Sequence, residues 1–520
     1  MKVNHTNNLR PFQEELINTI FYGDEKVIIV EAPVGAGKTF VLRYLLTQEF
    51  KKRITFVFLY PTKILMESQV KSLKNEIGAD NIRIWPYDEF KKNKLNLFLY
   101  STDSLLQYIL NNNLQEISDR SELLYRCFLT IQWYHKKGGI ITSPDVFYLL
   151  LRGNYKNSKE ILNIIQNSII ILDEFHWYFG LVGFEYLIEE LLRTIAGKIV
   201  LLSATPLLSE ELQKILNKYK TKIIMFDNSK GQKGDICFNY QLEATICSFK
   251  LSNRNETIKI IEKLSDKISF PSAIIFDSIF RLRHIERILK NKRIFSSSIK
   301  FKEWSGMKKT ENFVIDNSTL VLGTSSIEVG IDMNFKSLLF EATHWPSSIQ
   351  RLGRVGRKEK GKVFLFTQKD FSPFLEKKQY ERDEFENILR EVLNDPKEAI
   401  SDDYSFRGKS FRFLLFDEEL NEFFTYNERL FCMYEINDYV DDWQQQKEED
   451  KKRLLKEYKV PEEKITSLLI EDKILPFWGV LRGKIKDEYE FLLDNIIYPT
   501  KERNELHIKS FVFYGNKYED

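Results

Sequence analysis

The sequence predicts an α/β protein: two tandem parallel-sheet domains followed by a mainly helical accessory domain. Short β-branched runs alternate with longer helical patterns from about residue 26 to 205, which is how a parallel sheet with crossover helices reads. After the polar stretch DNSKGQKGD at 227–235 the same alternation starts again. Beyond about residue 375 it gives way to long charged helical patterns such as DDWQQQKEEDKKRLLKEY at 441–458. The expected domains are therefore 1–230, 231–375 and 376–520. The charged run reads as a solvated helix face and is assigned no chemistry.

In chain order, the strands expected in the first block are KVIIVEA, ITFVFLYP, NLFLYS, GGIITSP, SIIILDE and KIVLLSA. In the second they are PSAIIFDS, STLVLGTS, SLLFEAT and GKVFLFT. Most end where a small, polar or acidic residue opens a loop. Ligands of open α/β sheets gather at the carboxyl ends of strands, so functional residues are expected there.

Composition narrows the class. At 520 residues, with 43% hydrophobic and 14% aromatic side chains, the chain can bury large cores and does not read as disordered. Lys and Arg number 77 against 75 Asp and Glu, so a phosphate-binding surface has to be local rather than a polybasic coat. Cys127, Cys237, Cys247 and Cys432 form neither a disulfide framework nor a C-x-x-C metal spacing. The start MKVNHTNNLRPFQ lacks the apolar core of a signal peptide, and no run reaches membrane-spanning length. A soluble cytoplasmic protein is the expectation.

EAPVGAGKTF ends the first strand and opens a helix. It departs from G-x-x-x-x-G-K-[ST] only at the first position, where Ala32 stands. Pro33, Gly35, Ala36 and Gly37 line a loop whose backbone N–H groups can point at phosphate oxygens, aided by the positive end of the following helix. Lys38 is expected on the β- and γ-phosphates of ATP, and the Thr39 hydroxyl on Mg2+. Downstream in the same sheet, IILDEFHWYF at 170–179 ends a buried strand. Asp173 is placed to hold the magnesium and Glu174 to polarise the attacking water. A zinc site at His176 would need further convergent ligands, and no neighbouring His or Cys completes one.

SAT at 203–205 closes the next strand, and QRLGRVGR at 350–357 lies in the second block. With the loop and DEFH, this set resembles a superfamily 2 helicase or translocase of the DExH type. The resemblance implies two RecA-like domains with ATP in the cleft between them. It implies that Gln13 reads the adenine edge and that Thr62, Thr142 and Thr324 face the nucleic-acid strand. Arg354 and Arg357 match the arginine fingers, and Gln350 and His176 meet across the cleft to sense closure. Ser203 and Thr205 link the two sites, Asp332 fills the family's acidic nucleotide-side position, and Glu328 lies nearby.

APVGAGKT, LDEFHWY, LLSATP, a helical insertion at about 101–138 and SSIEVGIDMNFKSLLFEATHWPSSIQRLGRVGR resemble the helicase subunit of type I CRISPR interference. That family typically fuses an HD nuclease to the motor, acts on single-stranded DNA and is recruited by an RNA-guided surveillance complex. Here no His-Asp dipeptide occurs and the six histidines are scattered. The resemblance is therefore to the stand-alone, type I-D-like helicase, with a separate HD-nuclease subunit as partner. A repair or restriction-associated translocase and a non-catalytic nucleic-acid-binding scaffold are the competing readings. The Glu471–Lys473 E-x-K is expected by chance in so charged a chain and is given no nuclease role.

Overall fold

A computed structural model describes residues 9–33, 35–47, 55–85, 94–100, 138–151, 157–178, 182–226, 241–249, 254–304, 315–324, 333–357, 359–374, 378–393, 412–427 and 477–483, with shorter pieces between and after them. The first domain is an eight-stranded sheet. Its strands are β1 (Val27–Glu31), β2 (Phe56–Leu59), β3 (Ile82–Trp85), β4 (Leu95–Leu99), β5 (Gly138–Thr142), β6 (Ile169–Asp173), β7 (Ile199–Ser203) and β8 (Thr221–Met225). They lie in the order β3-β4-β5-β2-β6-β7-β1-β8, and every pairing is parallel.

The central strands are buried along their whole length, save Glu31 at the end of β1, because helices cover both faces. One face packs around Val57, Phe147, Phe175 and Leu187, the other around Leu16, Val41, Phe58 and Leu97. Strands β3 and β8 stand outside the expected set. They sit at the two edges of the sheet and are only partly buried, so they show no continuous apolar run.

The second domain has strands β9 (Leu242–Ser248), β10 (Ser272–Ile275), β11 (Lys300–Trp304), β12 (Thr319–Gly323), β13 (Ser337–Glu341), β14 (Gly361–Thr367) and β15 (Gln379–Tyr380). Their order is β11-β12-β10-β13-β14-β9-β15, all parallel except the antiparallel β15–β9 pair. Two parallel-sheet α/β domains in tandem are thus present, as the alternating blocks imply. Tyr380, Phe385 and Leu389, beyond residue 375, also pack into the second core.

After residue 393 the described elements are strands: β16 (Arg412–Asp417), β17 (Glu422–Asn427) and β18 (Phe477–Gly483) in one sheet, β19 (Ile496–Ile497) and β20 (His507–Ile508) in another. Of the charged helical stretch at 441–458, only Lys452, Leu455 and Lys456 are described. The β16–β17 turn docks on the second domain. Asp417 lies fully buried 3.2 Å from His284 Nε2, and Glu419 O accepts from Arg287 at 3.1 Å. Among the described residues no helix is long and apolar enough to cross a membrane. Nearly all of the insertion at 101–138, and the Glu471–Lys473 pair, lie outside the described residues.

The domains meet through the loop that follows β7. Leu207 belongs to the second domain's core, while its neighbour Leu208 packs on the first. Truncating Leu207 removes buried apolar atoms from the joint, so Leu207→Ala is expected to lower stability by about 2–3 kcal/mol in urea unfolding. A loss below about 0.5 kcal/mol would show that the joint does not bear on stability.

Candidate active site

Strands β6, β7 and β1 are neighbours, with Asp173 level with Leu202 and Glu31 level with Ser203. Three loops therefore leave the sheet side by side at its carboxyl edge. The first is the phosphate cradle. Gly35 and Gly37 have φ of 86° and 87°, a left-handed region open to glycine. A Cβ on Gly37 would also come within 2.6 Å of Gln13 Nε2.

Lys38 is buried, and its ammonium donates to Ala32 O at 2.7 Å and Pro33 O at 3.3 Å. The cradle's own carbonyls thus hold the cation. Gln13 is buried: its Nε2 donates to Gly37 O at 2.9 Å and its Oε1 accepts from Arg10 N at 2.9 Å. As placed, its amide braces the cradle. Arg10 does the same from outside, donating to Ala36 O.

The second loop carries the acids. Asp173 is 3% exposed. Burial first, then the Glu174 charge, pushes it up to about 7, with Lys38 pulling the other way. Glu174 has φ 51°, a backbone state that L residues adopt at a cost of order 1 kcal/mol or more and that clusters at functional sites. Its Oε2 is buried and accepts no hydrogen bond, 3.5 Å from His176 Nδ1. Such an orphaned acceptor suits a water or a ligand proton.

The third loop and the second domain converge on His176. Its Nδ1 lies 2.8 Å from Ser203 Oγ, which also accepts from Thr205 N at 2.9 Å. Its Nε2 is in hydrogen-bond contact with Gln350 Nε2 of the second domain. With Gln350 donating, Nε2 is the acceptor and Nδ1 carries the proton toward Ser203. Burial lowers the imidazole to about 4, against the opposing pull of Glu174, so it is neutral at physiological pH.

Gln350 lies in the helix Trp345–Leu352, and the two arginines follow it. Arg354 Nη2 donates to Glu328 O and Arg357 Nε to Gly353 O, at 2.6 Å in the second case. Both guanidiniums are buried, with these hydrogen bonds inside the second domain. Thr62 caps the helix Lys63–Ile77, its hydroxyl accepting from Leu65 N at 3.2 Å. Thr142 is 1% exposed and donates to Tyr100 O at 3.0 Å, so its hydroxyl is used within the sheet. Thr324 directly follows β12 and is buried. The Thr39 side chain and Asp332 lie outside the described residues.

Arg10 and Arg351 are additions that sequence reasoning missed. Arg10 directly precedes the RPFQ helix, but its role depends on an approach to the cradle that no local pattern encodes. Arg351 stands inside QRLGRVGR; its complete burial among acceptors from separate segments is not visible in the motif. Among the described residues no group of three or more His, Cys, Asp or Glu gathers as a metal cluster. A divalent ion at Asp173 would take most of its oxygen ligands from phosphates and water, as magnesium commonly does.

Residues 10–215 match the family model described as DEAD/DEAH box helicase, and residues 251–360 match CRISPR-associated nuclease/helicase Cas3, C-terminal. The chain thus resembles the superfamily 2 helicases. Within that class it resembles the Cas3 helicase: a Methanocaldococcus jannaschii protein described as a CRISPR-associated nuclease/helicase Cas3 is 25% identical over 364 residues. That alignment covers 67% of this chain and 46% of the relative, so the chain spans about half the length of the curated relative it matches.

Similar solved structures include Mycobacterium smegmatis helicase Lhr bound to ssDNA and AMP-PNP, at 17% identity and a TM-score of 0.46, covering 69% of this chain and 46% of that one. Mss116p bound to ssRNA and AMP-PNP aligns at 19% identity and a TM-score of 0.47, over 90% of this chain and 87% of that one.

The depressed His176 value has a stability consequence. Between about pH 6.5 and 4 the unfolded imidazole binds a proton that the folded one does not, so native stability falls as pH drops through that window. The contribution is on the order of 3 kcal/mol. His176→Gln is expected to lose correspondingly less between neutral pH and about pH 4.5 in urea unfolding. An equal loss in both proteins would exclude this origin.

Proposed function

We propose that the protein is an ATP-dependent single-stranded DNA translocase or helicase acting in type I CRISPR interference, with nucleolytic work assigned to a separate HD-nuclease subunit. The observation that carries the motor reading is the His176–Gln350 contact. It joins the acid-bearing loop of one domain to the arginine-bearing segment of the other. The likeness of residues 251–360 to the Cas3 C-terminal model supports the CRISPR assignment, and the DNA assignment rests on the family resemblance of the motifs. An RNA-guided surveillance complex is the recruiting partner in this reading.

The residues present fit ATP and magnesium. Lys38 exchanges the Ala32 and Pro33 carbonyls for phosphate oxygens, and Asp173 and Thr39 supply the metal-facing groups. When bound, magnesium supplies charge neutralisation on the phosphates. Glu174, through its unpartnered Oε2, orients water and accepts its proton. Arg354 and Arg357 reach the phosphates from the second domain, which makes hydrolysis depend on closure. Gln13 and Arg10 hold the cradle's shape, and the adenine-reading role of Gln13 requires one of its amide bonds to be exchanged. Asp332 and the Thr62 and Thr324 strand contacts complete the expected nucleotide and strand sides, and a Thr142 contact requires its hydroxyl to exchange the Tyr100 carbonyl.

ATPase rates against panels of single- and double-stranded DNA and RNA test this reading. Single-stranded DNA is expected to accelerate turnover. Glu174→Gln should bind ATP yet lose at least about a hundredfold in kcat, because the water loses its base. Stimulation by RNA alone would overturn the DNA assignment. A pull-down that recovers no surveillance complex would favour a repair or restriction role.

A further inference from the structure

The helix Trp345–Leu352 ends in a turn that carries Gly353, Arg354 and Val355 and leads to Arg357. A helix leaves its last carbonyls without partners inside the helix, so such an end has to be satisfied from elsewhere. Here every carbonyl from 352 to 355 has a donor. Gly353 O accepts from Arg357 Nε at 2.6 Å, and Arg354 O accepts from Phe335 N at 2.9 Å. The other two are held by one side chain from outside the turn. Arg382 Nη1 donates to Leu352 O at 2.9 Å, and Arg382 Nη2 donates to Val355 O.

Arg382 opens the helix Arg382–Val392 and is 5% exposed. A guanidinium is planar and rigid, so two bonds from one fork fix the separation and tilt of the two peptide groups they hold. Its charge also sits at the negative end of the helix Trp345–Leu352, which favours a cation there. Glu386, one turn along from Arg382, is near enough for the two charges to act on each other.

The two helices run antiparallel. Arg382 meets the end of Trp345–Leu352, and Arg390, about two turns later, lies over the Trp345 ring at its start, 4.3 Å from the centroid. Between these contacts Phe385 and Leu389 share one core with Leu352 and Val355. One helix therefore braces the other at both ends. The brace lies beyond residue 360, where the likeness to the Cas3 C-terminal model stops, so it is no part of the matched motifs.

We propose that Arg382 is a positioning residue for ATP hydrolysis: its fork sets the shape of the turn at 353–355 and thereby the aim of Arg354 and Arg357 into the cleft. It rests on the motor reading of that cleft. A purely structural tie would make the same contacts, and its loss would lower stability without changing the rate of each folded molecule.

The test uses the full chain at saturating single-stranded DNA, with Arg382→Lys, Arg354→Ala, the pair, and Phe385→Leu as a control that loosens the same helix. Lysine keeps the cation but not the planar fork. Arg382→Lys is expected to lower kcat about tenfold while changing the KM for ATP less than about twofold. In the Arg354→Ala background the same change should cost less than about twofold, because the aim of that arginine no longer matters. Phe385→Leu is expected to lower the unfolding midpoint and leave kcat within about twofold. An unchanged kcat in Arg382→Lys, additive losses in the pair, a loss confined to KM, or an equal kcat loss in Phe385→Leu each overturn the proposal and leave the motor reading intact. A wild-type rate that neither DNA nor RNA raises overturns both. Should Arg382→Lys fail to fold, Arg382→Gln, which can still donate to one carbonyl, carries the same cycle with the same criteria.

Discussion

The neutral imidazole of His176 is the contact on which the rest depends. One ring nitrogen meets Ser203 and the other meets Gln350 of the second domain. A neutral ring has one donor and one acceptor, so the two contacts have to be made in complementary senses. A charged ring would offer two donors and would have to be buried as a cation. Burial excludes that state over the physiological range. The joint between the domains is therefore a polar contact with a definite sense, set beside the acids of the first domain and continuous with the backbone of Thr205.

Around this joint the two domains manage buried charge differently. In the first, Lys38 and Asp173 stand close enough to influence one another, yet the lysine's hydrogen bonds go to neutral carbonyls. The charges are near but uncommitted. In the second, Asp277, Glu328 and Glu341 are each matched with an arginine, and little is left uncommitted. Leaving either partner of such a buried pair alone would cost several kcal/mol. The contrast suits a site that has to accept an anion on one side while its counterpart stays rigid.

Much of this was legible in the residues. The central strands β1, β6, β7, β10, β12 and β13 are continuous buried runs, and each is visible as such. The edge strands β3, β8 and β11 alternate or lie half-exposed, so their signal falls to that of a loop. Lys38, Asp173 and Glu174 could be placed because each sits at a strand end dictated by local pattern. The His176–Gln350 meeting came from family resemblance, and the geometry contains it. Arg10 on the cradle and Asp277 on Arg351 could not be read, because each depends on segments brought together only by folding. The expected hydroxyl face at Thr142 is turned inward to Tyr100, a reminder that a strand-end threonine can serve its own sheet.

The buried Asp417–His284 contact has a mechanical implication. A carboxylate with no solvent exposure, bonded both to the helix Ile279–Lys292 and to the backbone of its own turn, makes a stiff rivet between the carboxy-terminal sheet and the second domain. The sheet is then cargo that rides with one half of the molecule, and its displacement grows with its distance from the pivot. Loosening the rivet would free the sheet to shift against the helix it is bonded to.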